Sequence, residues 1–146
     1  MFALLFVSVL LVAVTVLIHA YGTHYWMRFM GSRFVDAHGN FHQGKILPAI
    51  ISTAVTLLLL HVIEVIVWAV AYRLLTPIGS LDTFEKAVYF SFVTFTTLGY
   101  GDITLPLEEW RLLSGVEALN GILLVGWTTA FLFAVVQRSW SSLARG

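Results

Sequence analysis

Three long apolar runs separated by polar stretches set the plan of this chain. The first occupies residues 2–20 and carries no charge, with Ser8 and Thr15 as its hydroxyl residues. The second, 46–75, opens with Pro48 near a helix start, and the third covers 112–137. Crossing a hydrocarbon core of about 30 Å takes on the order of 20 apolar residues in a helix, so each run predicts a membrane span. At 1.5 Å per residue the second run reaches about 45 Å and must tilt or protrude. A signal peptide is the alternative for the first run, but that run lacks a positively charged start and a small-residue cleavage pattern.

The stretches between the runs carry the punctuation. Residues 21–45 hold Arg28, Arg33 and Lys45 against Asp36, with Gly39, Asn40 and Gly44 as turn signals, and predict a loop whose first half, with Tyr21, Tyr25, Trp26 and Phe29, forms an aromatic belt at a membrane surface. Thr76-Pro77-Ile78-Gly79 stops the second run, because proline lacks a donor and disfavours helix in the residue before it. Asp82-Thr83-Phe84-Glu85 then places an acid three residues after a capping residue, which predicts a short helix over 82–95. That helix is too short to span, so it enters the membrane and returns. The expected division is an N-terminal transmembrane helix at 1–20, a cytoplasmic loop at 21–45, one unit at 46–138, and a cytoplasmic tail at 139–146.

Charge placement orients the spans, since Lys and Arg are retained on the cytoplasmic side. The 21–45 loop and the tail hold Arg28, Arg33, Lys45, Arg138 and Arg145 against Asp36. The other side holds Arg73, Lys86 and Arg111 against Asp82, Glu85, Asp102, Glu108 and Glu109. The expectation is an integral protein of the cell (inner) membrane in contact with lipid, with its N-terminus outside and its C-terminus cytoplasmic. Composition narrows the function: 59% hydrophobic and 11% charged residues leave no room for a separate soluble domain, and zero net charge argues against a nucleic-acid binder. Cysteine is absent, which removes thiol catalysis and Cys-based metal sites. No nucleophile, base and orienting acid fall together in a polar pocket, so no enzyme and no organic cofactor are expected.

Residues 96–102, Thr96-Thr97-Leu98-Gly99-Tyr100-Gly101-Asp102, carry the chemistry. Irregular backbone at membrane depth survives only where it is buried in protein or lines water. Glycines at alternate positions let consecutive carbonyls point the same way, and a ring of such strands replaces the water around a cation. One chain supplies one strand, so four copies are needed, and the permeant potassium ion is the expected ligand.

These residues, after a capped short helix between two spans, resemble the potassium-channel superfamily, specifically the pore module of the small two-helix ion channels with one extra N-terminal span. The resemblance covers about residues 46–137 and implies a pore domain of outer helix 46–75, pore helix 82–95, filter 96–102 and inner helix 112–137. It implies a homotetramer that conducts potassium passively. The carbonyls of Thr97, Leu98, Gly99 and Tyr100 would coordinate the ion, supported by Thr96, Gly101, Asp102 and Tyr89. Tyr89 stands where many members have a tryptophan bonding the filter aspartate, although it would serve equally as packing beside Phe90 and Phe92. Two departures stand out: Leu98 replaces the usual valine, and Val93 stands where some members bury a glutamate. By the same register Ile122, Val125, Thr129 and Phe133 line a cavity. Gly121 falls at the family's hinge, where Gly121→Ala costs on the order of 1 kcal/mol or less, or it serves close helix packing. A weakly selective cation channel is the alternative within transport, and a non-conducting scaffold or modulatory subunit is the alternative outside it.

Two acids lie inside spans, where a charge costs at least about 2.5 kcal/mol and requires a partner. Counted along their helices at 1.5 Å per residue, Glu64 lies roughly 16 Å deep, Asn120 about 12 Å and Glu117 about 8 Å. Depth therefore pairs Glu64 with Asn120 or with His61, one turn away, and Glu117 with Ser91 or Thr94. Either the contacts form a static clamp around Gly121, or one acid is protonated and senses pH. His19, His24, His38 and His42 are expected on or near the cytoplasmic face, as solvated residues or as a proton or metal sensor. With no Arg-rich series for a voltage sensor, gating is left to the filter, the membrane, pH or an unidentified regulatory partner.

Overall fold

A computed structural model of the 146-residue chain describes residues 2–36, 40–75, 81–105 and 108–143. Among the described residues the regular structure is helical: α1 (Phe2–Phe34), α2 (Ile46–Leu75), α3 (Phe84–Phe95) and α4 (Glu108–Leu143), with a 3₁₀ turn at Gln43–Lys45. α1, α2 and α4 are long and apolar enough to cross a membrane, whereas the 12 residues of α3 are not. α1 packs on α2 and α4, and α3 packs between α2 and α4. The chain is thus an all-α membrane protein of three spans and one re-entrant helix. The proline stop at residues 76–79, His38 and Gly39 of the loop, and Arg145 of the tail lie outside the described residues.

Solvent inverts the usual pattern of helix faces. The buried side chains of α1 are Ser8, Thr15, His19, Thr23 and Met30, spaced by four and seven residues along one stripe, while Phe6, Val9, Leu10 and Leu17 point outward. Lipid tails accept the apolar face at no cost, so the polar side chains are the ones that must find protein. Thr15 and Thr23 bond their own helix, to the Leu11 carbonyl at 3.0 Å and the His19 carbonyl at 2.8 Å, and Asn120 Nδ2 of α4 donates to Thr15 Oγ1 at 2.8 Å.

Three boundaries differ from the sequence reading. The 21–45 segment is not a loop throughout, because α1 continues to Phe34. Its extension is carried by packing that no local signal announces: Trp26 Nε1 donates to Thr53 Oγ1 of α2 at 3.0 Å, and Thr53 Oγ1 lies 3.7 Å from Met30 Sδ. The reversal that follows is pinned by an isolated antiparallel bridge between Val35 and Phe41, by Asp36 N–H on the Asn40 carbonyl at 2.9 Å, and by Asn40 N–H on Asp36 Oδ1 at 2.9 Å. α4 begins at Glu108 and ends at Leu143, longer at both ends than 112–137. α3 starts at Phe84, and its cap is Thr83, whose hydroxyl accepts from Lys86 N–H at 3.2 Å. Asp82 instead meets Lys86 Nζ at 2.8 Å, and that hydrogen bond holds its carboxyl below the usual range.

The core gathers where α3 enters, around Trp68, Tyr72, Phe90, Phe95, Leu113 and Leu124. A second cluster of Met30, Phe41, Ile46, Ala49 and Val135 closes the opposite end. Gly121 is buried in the contact between α3 and α4: a Cβ there would collide with the Phe95 carbonyl oxygen and lie 2.8 Å from its carbon. Close packing, rather than the absence of a side chain for bending, is the role this geometry carries, and α4 runs unbroken through the position. The low cost expected of Gly121→Ala is therefore corrected. Overpacking against backbone costs at least about 1–3 kcal/mol. Gly121→Ala should lower the thermal midpoint of the detergent-solubilised protein and its yield of assembled species, whereas Gly126→Ala, where a Cβ meets nothing within 4 Å, should leave both near wild type.

Candidate functional site: the re-entrant segment and its buried supports

α3 ends by handing its unpaired carbonyls to the segment that follows. Thr97 N–H bonds the Thr94 carbonyl at 2.9 Å, Leu98 N–H the Val93 carbonyl at 2.9 Å, and Gly99 N–H the same Val93 carbonyl at 3.3 Å. Helix C-termini leave their last carbonyls without intrahelical donors, and here the chain turning back supplies them. Thr96 adds its own cap, with N–H on the Phe92 carbonyl at 3.1 Å and Oγ1 donating to the same oxygen at 2.7 Å.

Thr97, Gly99 and Gly101 have φ of 57°, 58° and 77°, while Leu98 and Tyr100 between them do not enter the left-handed region. Left-handed backbone at every second residue swings successive peptide planes so that the carbonyls share one side. The amides of Thr97, Leu98 and Gly99 are engaged by α3, which leaves the opposite edge to the carbonyls. Glycine meets this demand freely, whereas Thr97 does so with a Cβ, at a cost of about 1–2 kcal/mol. Leu98 and Tyr100 are exposed on the single chain, beside a recess of about 350 Å³ lined also by Tyr89, Phe92, Val93 and Thr96.

Beyond the C-terminus of α3 opens a concavity of about 600 Å³, lined by Phe95, Thr96 and Thr97 and by Gly121, Ile122, Val125, Thr129 and Phe133 of α4. All four residues expected to line a cavity fall here on one side of α4. The partial negative charge at the end of α3 points toward this space and favours a cation in it. At the far end of the segment Tyr89 OH donates to Asp102 Oδ2 at 2.7 Å, which ties residues 96–102 to α3 at both ends. Of the two roles left open for Tyr89, the structure shows the bond to Asp102.

The buried acids divide into two separate networks. Glu117 of α4 accepts from Tyr72 OH of α2 at 2.7 Å and from Ser91 Oγ of α3, which also reaches the Val65 carbonyl at 3.1 Å. Ser91 was one of its two expected partners; Tyr72 was missed, although it ends the same face as Val65 and Trp68 on α2. Glu64 does not pair with Asn120, because Asn120 turns to Thr15 of α1, leaving its Oδ1 without a partner among the described residues. Glu64 meets its other expected partner, His61 Nδ1, at 2.8 Å and in addition His19 Nδ1 at 2.9 Å. His19 is fully buried, so its placement on the cytoplasmic face as a solvated residue is corrected. The available signal was the polar stripe of Ser8, Thr15, His19 and Thr23, which has no reason to exist on a helix that meets only lipid.

A short helix set between two spans, a left-handed alternation at its C-terminal end and a lined cavity are the parts of a pore-loop membrane protein. The ion channel family model matches residues 60–138, more than half of the chain. The chain belongs to that family, the two-helix, potassium-channel-like ion channel domain, with α1 as an additional apolar helix outside the matched region. No curated protein and no solved structure matched the chain. The Tyr89–Asp102 bond yields a direct test. Tyr89→Phe removes the donor and frees one end of the segment, so ion flux through reconstituted protein should fall several-fold while helix content by circular dichroism stays unchanged.

Proposed function

We propose that the protein is a potassium-selective channel subunit and that four copies enclose one pore in the cell membrane. In this reading Thr97, Leu98, Gly99 and Tyr100 coordinate potassium through their carbonyls, with Gly101 and Asp102 closing the outer end of the filter. Potassium is the permeant ion rather than a resident cofactor, and conduction is passive, with no catalysed step. The observation that carries the proposal is the alternation of left-handed backbone at Thr97, Gly99 and Gly101 directly above the cavity. Rings of backbone carbonyls that replace a hydration shell are how potassium filters work. The unburied faces of Leu98, Tyr100 and Phe92 fit the same reading, since neighbouring copies would cover them. The excess of Arg28, Arg33, Lys45 and Arg138 at one end supports a reading with that end in the cytoplasm and the filter mouth outside.

The test is flux into liposomes loaded with potassium and, separately, with sodium. Wild-type protein should pass potassium well above sodium, and Gly99→Ala should abolish flux while still purifying as a tetramer, because φ of +58° strains any residue with a Cβ. Leu98→Val should retain flux and sharpen the preference. Equal passage of both ions would replace this reading with a weakly selective cation channel. Passage of neither, across several pH values, would leave a scaffold that keeps the loop as fold.

A further inference from the structure

Deep between α1, α2 and α4 lies a closed ring of four side chains outside the residues that line the cavity. Glu64 Oε1 meets His19 Nδ1 at 2.9 Å and Glu64 Oε2 meets His61 Nδ1 at 2.8 Å. The opposite nitrogens converge on one hydroxyl, with His61 Nε2 at 2.8 Å and His19 Nε2 at 3.4 Å from Thr128 Oγ1. His19 and Glu64 are fully buried and His61 is 13% exposed. We propose that His19, Glu64, His61 and Thr128 form a buried proton-binding site that holds one proton more than a carboxylate and two neutral imidazoles carry, and that this proton fastens α1 to the pore module.

The argument is a count of donors and acceptors. A carboxylate only accepts, a neutral imidazole has one N–H, and a hydroxyl has one proton to give. If Glu64 is ionised and both imidazoles are neutral, both Nδ1 atoms must carry their protons toward Glu64, and both Nε2 atoms are then bare acceptors. Thr128 can serve one of them and leaves the other unpaired in the interior, which costs about 1–3 kcal/mol. One added proton completes the ring. On an imidazole, it gives that ring an Nε2–H that donates to Thr128, and the Thr128 hydroxyl donates to the other Nε2. On Glu64, it turns one imidazole over to its Nε2–H form, with the same outcome at Thr128. Either way the cluster is neutral overall and every ring nitrogen has a partner.

A divalent cation would compete with the proton for the same ring nitrogens and carboxylate oxygens, which lie within 4.8 Å of one another. The two imidazoles stack, with centroids 5.3 Å apart and planes 23° from parallel. Each Nδ1 has its own carboxylate oxygen, Oε1 for His19 and Oε2 for His61. Among the described residues, the groups packed against the cluster carry no competing charge. α1 contributes His19, α2 contributes His61 and Glu64, α4 contributes Thr128 and the edge of Trp127 on His19 at 5.3 Å, and α3 contributes the Phe95 ring, 5.7 Å from His61. Glu117, engaged with Tyr72 and Ser91, lies eleven residues before Thr128, roughly 16 Å along α4. Phe95 is the residue whose carbonyl rests on Gly121, so the proton site touches the end of α3 that faces the cavity.

Nitrogen-15 spectra of histidine-labelled protein in lipid vesicles read the proton count directly and need no ion flux, so they stand whatever the channel conducts. At neutral pH one of the two buried rings should carry a proton on Nε2, unlike the all-Nδ1–H pair of the unprotonated cluster. Raising the pH should remove it. Thr128→Val, which keeps shape and loses the hydroxyl, should lose this signal at a pH where wild type retains it, and Thr128→Ser should restore it. Flux profiles should follow, with Thr128→Ser like wild type and Thr128→Val changing at lower pH. Two rings with bare Nε2 atoms in wild-type protein at every pH would overturn the proposal without any variant. Displacement of both Nδ1 protons by micromolar zinc would overturn it in favour of a cation site, and identical pH profiles for wild type and Thr128→Val would overturn the coupling to the pore.

Discussion

No water reaches the interior of a bilayer to pair a polar group, and the arrangement of this chain follows from that constraint. Hydroxyl, carboxyl, imidazole and amide groups within the spans turn to protein for their partners, while apolar surface has nothing to gain by hiding. The helices therefore present Phe6, Leu10, Leu58 and Leu119 outward and turn Ser8, Thr15, His19, Glu64, Glu117 and Asn120 inward. Polar side chains supply the specificity of helix pairing that apolar burial supplies in a soluble protein.

The two acid networks divide this work. Glu117 joins α2, α3 and α4 near the entry of the re-entrant helix, and Glu64 joins α1 and α2 to α4 near its end. Between them the α3 carboxyl terminus comes so close to Gly121 that no side chain fits. The position of α3 is thus set from three sides, and the backbone of residues 96–102 inherits that placement through the bonds from Thr97, Leu98 and Gly99 to Thr94 and Val93. A left-handed alternation is unfavourable in isolation and persists when its surroundings leave no alternative.

α1 changes the meaning of the family unit. The matched region begins within α2, yet α1 is bonded into it by Thr15 to Asn120 and by His19 to Glu64, and to the part of α2 before it by Trp26 to Thr53. It is a component of the pore module's support rather than a separate anchor.

By itself the sequence determined what depends on local chemistry and on length. Apolar runs announced three spans, since the bilayer demands about 20 residues whatever they pack against. Alternate glycines in 96–102 announced the irregular backbone, because few residues accept positive φ. The cavity-facing register of Ile122, Val125, Thr129 and Phe133 was legible through the resemblance, and Ser91 was legible from depth. What the sequence could not decide was which polar groups meet across helices. Depth alone offered Asn120 to Glu64, but rotation of each helix about its axis chose Thr15 for the one and His19 for the other. The same packing put Gly121 against the Phe95 carbonyl and carried α1 on to Phe34, because contacts between residues from 23 to 109 positions apart are chosen by how the helices meet and not by local chemistry.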